Sequence, residues 1–462
     1  MADLYNKAQY IYVAGANKSG SLYGIVPVPG TSNVTLASAS SFRTSSGSRT
    51  NSNGIIENIA PHILRVDYPD LVTCPSYKFE PQRTNYLYNT DHLSTGSATS
   101  LWNLNQAFWS LFSDPTSPAG TGFAGFLRES SSNPASTGFA TRQTTTLPTS
   151  SQNFTVSVYA KRSGSGADVR NLMIQHGGVG SADANMNTYF ILEGTGSIYT
   201  GYAPIVKPFV SGAYIEPLPN GWYRCSVIGS SAPVALYARY FVTSGSIPLI
   251  SYTPNGRAGL YLACAQLESG SAHNPRLSLS TSNMTYVTSY ISSSTDTIGT
   301  RTADRSVSLP APAGTTNWTA FAAITRYNPD PGPGAQTNFD FRVNSGSGNF
   351  AGTYLNGVPI WNSGSAGNTP SGSSLPMGTE YKCAIRLSGS QMTWFINGAR
   401  RFSIPWGTTG TWSSVTIGDQ DPNTAITHKG SFYTRVAAMF SQSLSDAECI
   451  SLTTTGSGTS IV

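Results

Sequence analysis

The feature that most constrains the fold of this chain is an alternation of polarity between residues 154 and 161. Phe154, Val156, Val158 and Ala160 alternate with more polar residues. This period of two is typical of a half-buried β-strand, because successive side chains point to opposite faces of a sheet. Gly, Pro, Ser and Asn clusters separate further strand-like runs at 189–192, 213–216, 222–228, 235–242 and 260–267. Many short strands joined by such turns predict an all-β fold built from β-sandwiches, the first of jelly-roll type.

The pattern divides the 462 residues into three segments. Residues 1–85 are rich in turns and weakly periodic, and they predict an extended N-terminal arm and connector. Residues 86–300 carry the regular strands of the jelly roll, with one weak helical candidate at 100–111. Residues 301–462 contain a second set of strands, and Asn397-Gly398 between two apolar runs predicts a tight hairpin.

Composition excludes several classes of function. Charged residues make up 11% of the chain and the net charge is +5. Arg400 and Arg401 form the densest basic spot, so the clustered stripe of a nucleic-acid-binding surface is missing. No apolar run approaches the length of a membrane span, and the first residues do not resemble a signal peptide. We therefore expect no nucleic-acid or membrane partner, and synthesis in a cytoplasm.

The chain lacks recognisable catalytic motifs. Five cysteines occur without a CxxC pair, which predicts reduced, structural thiols rather than a zinc or redox site. The five histidines show no paired spacing, so neither a metal cluster nor a Ser-His-Asp triad is predicted. The carboxylates Glu57, Glu80, Asp67 and Asp304 are acid–base candidates by residue type only. Each has an Arg nearby in sequence, which favours structural ion pairs and a protein that is not an enzyme.

The connector contains charges of opposite sign at short spacing. Arg65 lies two residues before Asp67, and Glu80 lies three residues before Arg83. In so weakly charged a chain these four residues predict ion pairs that pin an extended segment.

The arm contains a short β-prone run, in which Leu22, Tyr23, Ile25 and Val26 lie among Gly, Ser and Asn. With so little apolar sequence around it, the run is predicted either to attach the chain to another protein's surface or to fold back on the following domain. Both interpretations remain open at the level of sequence. If the arm is an attachment segment, its deletion is expected to leave the sandwiches folded.

Several rare sequence words resemble the head-spike and head-fibre proteins of bacteriophages. They are Leu-Tyr…Val-Pro at 22–27, Arg-Thr-Asn-Ser-Asn-Gly-Ile-Ile-Glu at 49–57, Arg-Val-Asp-Tyr at 65–68, the run from Cys to Asn at 74–85, Gly-Trp-Tyr-Arg-Cys at 221–225 and Ala-Gln-Leu-Glu at 265–268. The resemblance implies a carbohydrate-binding jelly roll on a virion appendage. Cys264 departs from it, because a Trp-Gly pair is expected there, and so does the segment 286–291.

The C-terminal segment resembles concanavalin-like and laminin-G-like lectin domains. The resemblance rests on the order of the 381–389 strand, the Asn397-Gly398 hairpin and the Leu-Ser-Asp-Ala-Glu turn at 444–448. It suggests a glycan site, for which Trp361, Trp406 and Trp412 are stacking candidates in apparent loops, with the polar Asn362 and Gln420. These tryptophans could equally cover the ends of the sandwich or contact another subunit.

A calcium site is a further possibility in this segment. Asp419 and Asp421 follow a strand at alternate positions, and carboxylate oxygens are ligands that Ca²⁺ prefers. A solvated turn explains the same pair and is favoured over the metal site. No other cofactor is expected.

The sequence thus predicts a phage virion structural protein: a head fibre or spike, most often a homotrimer in such families. It would attach to the capsid or other virion proteins through its N-terminal arm and bind host-surface glycans. The alternative is a tail fibre or tail spike with polysaccharide depolymerase activity.

Overall fold

The computed structural model describes most of the strand-forming parts of the chain. The described residues are 4, 7–18, 21–25, 40–41, 43–63, 65–68, 75–80, 83–88, 90–91, 93, 102–105, 107–120, 122–131, 138–146, 152–164, 169–178, 187–199, 210–232, 235–245, 249–250, 252–269, 289–293, 298–302, 304, 307–309, 316–326, 337–343, 349–354, 359–363, 367–368, 379–406, 412–417 and 432–454. None of the helices among them is long and apolar enough to cross a membrane.

Thirty-two strands and one α-helix are described below in chain order. The N-terminal strands are β1 (Ala8–Lys18), β2 (Ser21–Ile25), β3 (Ser40–Ser41), β4 (Gly47–Thr50), β5 (Ile56–Ile59), β6 (Val66–Asp67), β7 (Ser76–Phe79) and β8 (Arg83–Asn85). The next are β9 (Asn103–Asn105), β10 (Ala107–Ser113), β11 (Phe123–Glu129), β12 (Phe139–Thr146), β13 (Gln152–Arg162), β14 (Asn171–Gly178), β15 (Asn187–Ile191), β16 (Ser197–Ile198), β17 (Val210–Pro217), β18 (Tyr223–Ala232), β19 (Ala235–Thr243), β20 (Gly259–Ser269) and β21 (Gly299–Arg301). The last are β22 (Val307–Leu309), β23 (Asn317–Arg326), β24 (Thr337–Val343), β25 (Asn349–Tyr354), β26 (Pro359–Ser363), β27 (Gly367–Asn368), β28 (Glu380–Ser388), β29 (Gln391–Ile396), β30 (Ala399–Pro405), β31 (Trp412–Ile417), β32 (Phe432–Phe440) and α1 (Asp446–Thr453).

The all-β prediction is confirmed, and the described strands form two pairs of larger antiparallel sheets, with β4 and β5 as a separate two-stranded sheet. The first sandwich consists of an eight-stranded sheet in the order β10-β11-β20-β13-β18-β17, with β8 beside β20 and β21 beside β8, and a six-stranded sheet in the order β16-β15-β14-β19-β12-β9. Its core lies between the two sheets, where Val156 and Val158 of β13 and Leu172 and Ile174 of β14 are fully buried. The alternation at 154–161 therefore marks a strand with one face in this core.

The second sandwich consists of a nine-stranded and a seven-stranded sheet. The nine-stranded sheet runs β2-β1-β32-β23-β28-β29-β30, with β7 beside β32 and β6 beside β7. The seven-stranded sheet runs β27-β26-β25-β24-β31-β22-β3. Helix α1 covers one face of the nine-stranded sheet through Cys449 and Leu452. Its N-terminus is fixed by a capping box between Ser445 and Glu448, the segment that the sequence presented as a terminal turn.

The prediction that residues 100–111 could form a helix was wrong. Strands β9 and β10 occupy this segment, and β10 pairs with β11 along its whole length. The misleading signal is that both faces of β10 carry large apolar residues: Trp109 packs toward the core, whereas Phe108 and Phe112 are exposed. A strand that lacks the alternation of polar and apolar residues matches neither the pattern of an amphipathic helix nor that of a half-buried strand.

The N-terminal segment is part of the second sandwich rather than a free arm. Strand β1 pairs with β32 over residues 8–13, and β2 pairs with β1. Ile11 is fully buried in the cluster that α1 covers. We therefore expect, contrary to the sequence-based expectation, that removing this segment destabilises the second sandwich, because Ile11 of β1 is buried in the core of the C-terminal sheet. The segment thus folds back on the same chain, as one of the two predicted alternatives held, but it packs on the C-terminal sandwich and not on the sandwich that follows it in sequence.

The connector joins both sandwiches. Strands β6 and β7 extend the nine-stranded sheet at β32, whereas β8 pairs with β20 and β21 in the eight-stranded sheet. The described residues between 43 and 85 therefore lie across the junction and contact both sandwiches.

Candidate functional site

The connector's charges form a buried ion-pair network at this junction. Arg65 lies 2.7 Å from Glu80 and also pairs with Asp304. Arg43 contacts Asp304 at 3.0 Å, and Arg301 contacts Glu80 at 3.0 Å. All of these side chains are at most 4% exposed. The ion-pair prediction is therefore confirmed for Arg65 and Glu80.

The partners differ from the sequence neighbours. Asp67 pairs with Lys78 at 2.9 Å and accepts a hydrogen bond from Tyr433 at 2.8 Å. Arg65 reaches Glu80 and Asp304 instead of Asp67, because neighbouring strands of the connector bring distant residues together. Arg83 lies in β8, opposite Arg301 in register.

The electrostatics of the network are those of a structural site. Burial alone would raise the pKa of Glu80, but Arg301, Lys78 and Arg65 hold it well below its ordinary value. Burial likewise opposes ionisation of Asp304, and Arg65, Arg43 and Arg301 lower its pKa. Carboxylates held ionised by arginines cannot act as proton donors near neutral pH. Glu57 is also paired, with Arg49 at 2.7 Å.

The predicted tryptophan site is only partly described. Trp406 is 4% exposed and belongs to the core of the second sandwich. Its backbone N–H donates to the carbonyl of Ser390 at 2.6 Å, which places the residue beside the turn between β28 and β29. The stacking role predicted for Trp406 is therefore wrong, because its side chain is buried in the core of the second sandwich.

The other predicted residues lie in strands or outside the described part. Trp361 and Asn362 belong to β26, which pairs with β25 and β27, and Trp412 begins β31 opposite Val343. These are strand positions rather than loops. Asp419, Gln420 and Asp421 lie outside the described residues, so the calcium hypothesis stays a prediction. Within the described ranges no group of three or more His, Cys, Asp or Glu side chains could hold a metal ion.

The attachment run and the cysteines are placed as follows. Leu22, Tyr23 and Ile25 lie in β2, at the edge of the nine-stranded sheet, and Val26 is outside the described residues. Four cysteines are buried free thiols, namely Cys225, Cys264, Cys383 and Cys449. Burial raises the pKa of the Cys225 and Cys264 thiols well above the ordinary value, so they act as small buried hydrophobes.

A surface that the sequence did not reveal lies on the outer face of the eight-stranded sheet. The side chains of β11 and β20 that alternate with core residues Leu127, Leu260 and Leu262 point away from the first sandwich's core. Part of this face is covered by the connector. There Ile56 and Ala119 pack on the small residues Ala124 and Ala263, and the N–H of Ile56 donates to Pro118 at 2.8 Å.

The uncovered part carries four aromatic rings on three adjacent strands. We call Phe108, Phe112, Phe126 and Tyr261 the aromatic platform. Phe108 is 52% and Phe112 47% exposed, and Phe126 and Tyr261 are half-buried. The rings of Phe126 and Tyr261 stack with centroids 4.9 Å apart, and Phe112 lies 5.0 Å from Tyr261. Since neighbouring strands are about 4.8 Å apart, the platform is about 10 Å wide.

Polar groups border the platform. The Arg128 guanidinium lies 5.3 Å from the centre of the Phe108 ring. Asp114 pairs with Lys161 at 3.1 Å and accepts a hydrogen bond from the Thr116 hydroxyl at 2.6 Å. Burial and the charge of Asp114 both raise the pKa of Tyr261, so its hydroxyl is neutral and can donate a hydrogen bond.

A polar cleft continues the same face toward the junction. Its lining includes Tyr159, Glu216, Arg224, Lys78 and Tyr433. The Arg224 guanidinium lies 5.3 Å from the centre of the Tyr159 ring. The outer face therefore presents flat rings at one side and charged groups at the other.

Neither a protein-family model nor a curated protein sequence matches this chain. Among solved structures, a Trypanosoma rangeli sialidase is 13% identical with a TM-score of 0.26, over 31% of this chain and 25% of the sialidase. The CBM40 domain of the Ruminococcus gnavus IT-sialidase, bound to α2,3-sialyllactose, is 11% identical with a TM-score of 0.25, over 32% of this chain and 96% of that domain. Domain 4 of AbnA, an arabinanase from Geobacillus stearothermophilus in complex with arabinotriose, is 14% identical with a TM-score of 0.25, over 36% of this chain and 82% of that domain. Likenesses this weak assign neither ligand nor activity to this chain.

Proposed function

We propose that this protein is a non-catalytic, glycan-binding appendage of a bacteriophage particle, of head-fibre or head-spike type. The observation that carries the glycan-binding part is the aromatic platform, an uncovered sheet face with four clustered rings and polar groups at its border. Sugar rings present C–H faces that stack on aromatic side chains, and their hydroxyls bond to the polar groups beside them. The platform offers both kinds of contact on rigid strands.

The platform is expected to bind each glycan weakly. It is a flat surface, without the concave shape that buries most of a tightly held ligand. We therefore expect a dissociation constant on the order of 0.1–1 mM for a single site, or roughly 4–5 kcal/mol. Many copies on one particle would convert such affinity into firm adhesion.

The virion part of the proposal is supported by the sequence words shared with head-spike and head-fibre proteins. We propose a homotrimer that contacts the capsid or other virion proteins through the N-terminal segment, with Leu22, Tyr23, Ile25 and Val26 at the contact. Among the described strands β2 is the last of its sheet, and this position suits such a role, because an edge strand offers backbone groups to a partner. An antibody against the chain should label purified particles in electron micrographs; particles without label would contradict this part.

The glycan-binding part is tested with Phe112→Ala and Tyr261→Ala in the full-length protein, against Ile450→Ala as the control. Ile450 is also exposed, at 37%, but lies on α1 of the second sandwich. On an array of bacterial surface glycans, both platform variants should lose at least about tenfold in binding, whereas the control should keep it. Because Phe112 is half exposed, Phe112→Ala should change the melting temperature little.

Three results would contradict the proposal. If both platform variants bind the glycan array as the wild type does, the platform is not the glycan-binding site. A change of oligomeric state in light scattering, without loss of glycan binding, would make it a subunit interface. Steady release of reducing sugars from host polysaccharide would favour the depolymerase alternative.

A further inference from the structure

We propose that the aromatic platform selects acidic glycans, whose carboxylates are bound by Arg128; this inference rests on the glycan-binding function proposed above. Arg128 lies on β11 directly opposite Phe108 of β10. Its side chain is exposed, and its guanidinium lies over the Phe108 ring. A sugar stacked on the platform would therefore meet this cation at its edge.

Among the described residues, no carboxylate pairs with Arg128. The nearest acid on β11, Glu129, points to the other side of the strand, where it binds Arg170 at 2.9 Å and accepts a hydrogen bond from Tyr252. The acid at the platform's border, Asp114, is bound by Lys161 and Thr116. Both carboxylates are thus already engaged, and Arg128 keeps its charge-assisted donors available to a ligand.

A second cation lies near the same end of the sheet. Arg257 is exposed and precedes Gly259, which faces Arg128 in register across β11 and β20. Asp114 and its partner Lys161 lie beyond the other end of β10, after Ser113. Among the described residues, Arg128 and Arg257 therefore give this border a positive charge. A positive border beside stacking rings complements a sugar that carries an anionic group.

The guanidinium group favours a carboxylate within this class. Its planar fork matches the two oxygens of a carboxylate, and such bidentate bonds are stronger than those between neutral groups. Phosphate-bearing glycans share this chemistry, so the experiment must separate the two sources. The cation–π contact with Phe108 holds the guanidinium at the platform, which limits the ordering that binding requires.

The test uses oligomers of galacturonate, glucuronate and mannuronate, each with free carboxyl groups and as the methyl ester. Binding to the full-length protein is measured by isothermal titration for the wild type, Arg128→Gln and Arg401→Gln. Arg401 is a matched control, since it is exposed on β30 of the second sandwich. We expect at least one acidic oligomer to bind about tenfold more tightly than its ester. Arg128→Gln should remove that difference, and Arg401→Gln should keep it.

The outcomes separate this inference from the proposed function. Equal binding of acid and ester forms by the wild type would overturn acid selectivity while glycan binding stands. A difference that persists in Arg128→Gln would place the carboxylate elsewhere. Binding of a phosphate-bearing teichoic oligomer, without binding of any uronate, would overturn the carboxylate assignment. If no uronate binds in either form but the array shows neutral glycans lost in Phe112→Ala, acid selectivity fails and the proposed function survives.

Discussion

At the scale of single residues, Arg65 is one of the arginines that are almost fully buried in the described part of the chain, with Arg43 and Arg301. Its fully buried guanidinium pairs with Glu80 and Asp304 and also donates to the backbone carbonyl of Ser48 at 3.0 Å. A buried ion pair contributes little net stability compared with well-packed apolar residues, but the loss of one partner leaves an uncompensated charge. The network therefore affects the free energy of unfolding most when one of its members is removed.

We predict that Arg65→Ala lowers the free energy of unfolding by about 3–5 kcal/mol. Glu80 and Asp304 would each lose one of their arginine partners and keep Arg301 and Arg43, and the buried Ser48 carbonyl would lose its donor. Arg49→Ala is the control. It breaks the 2.7 Å pair with Glu57, whose side chains are 27% and 37% exposed, and should cost less than about 1 kcal/mol. Urea denaturation followed by fluorescence measures both. Equal losses in the two variants would show that burial of the network does not matter.

At the scale of elements, the hairpin between β29 and β30 shows how a turn determines strand pairing. Asn397 and Gly398 have φ of 49° and 76°, the left-handed conformation that two-residue hairpin loops require. This confirms the hairpin predicted at Asn397-Gly398. Ile396 pairs with Ala399 directly beside the turn, so the turn places the strands in register.

The turn predicts different costs for two glycine substitutions. Gly398→Ala would place a Cβ 2.9 Å from the Thr454 hydroxyl at φ +76°, whereas Gly389→Ala, at φ +58° in the preceding turn, has nothing within 4 Å of the new Cβ. Strain alone should cost about 1 kcal/mol for Gly389→Ala. Gly398→Ala should lower the free energy of unfolding by more than Gly389→Ala, because Thr454 must also move. Melting temperatures measure the difference; a larger loss for Gly389→Ala would contradict the argument.

At the scale of the whole molecule, the two ends of the chain share one core. Ile11 of β1 is fully buried together with Phe321, Phe440 and Leu452, and the Lys7 ammonium lies 2.6 Å from Glu448. Because β1 covers the edge of β32, removing it would expose both an apolar surface and an unpaired strand.

We predict that Ile11→Ala destabilises the second sandwich by about 2–5 kcal/mol, since it opens a cavity in this shared core. Ile450→Ala, at a position 37% exposed, should have little effect. Deletion of residues 1–25 should be more severe than Ile11→Ala and should make the C-terminal strands sensitive to protease. If the truncated protein resists the protease as well as the full chain does, the N-terminal segment is an independent arm and this prediction is wrong.

The sequence by itself determined those features of the fold that depend on the local pattern of residues. The period-two run at 154–161 predicted a strand, and the Asn-Gly pair predicted a hairpin, because side-chain direction and turn conformation are properties of neighbouring residues. The low charge of the chain made it predictable that Arg65 and Glu80 form ion pairs, but not that they pair with each other and with residues 304 and 301.

Only the tertiary structure decided the features that depend on contacts between distant residues. Strand β1 pairs with β32, which lies more than 400 residues later, and Trp406 is a core residue because it packs in the buried cluster that contains Met392 and Trp394. The aromatic platform arises because the connector covers one part of an outer face and leaves Phe108 and Phe112 uncovered. Composition and spacing cannot show which apolar side chains another segment will cover, since that depends on how the whole chain packs.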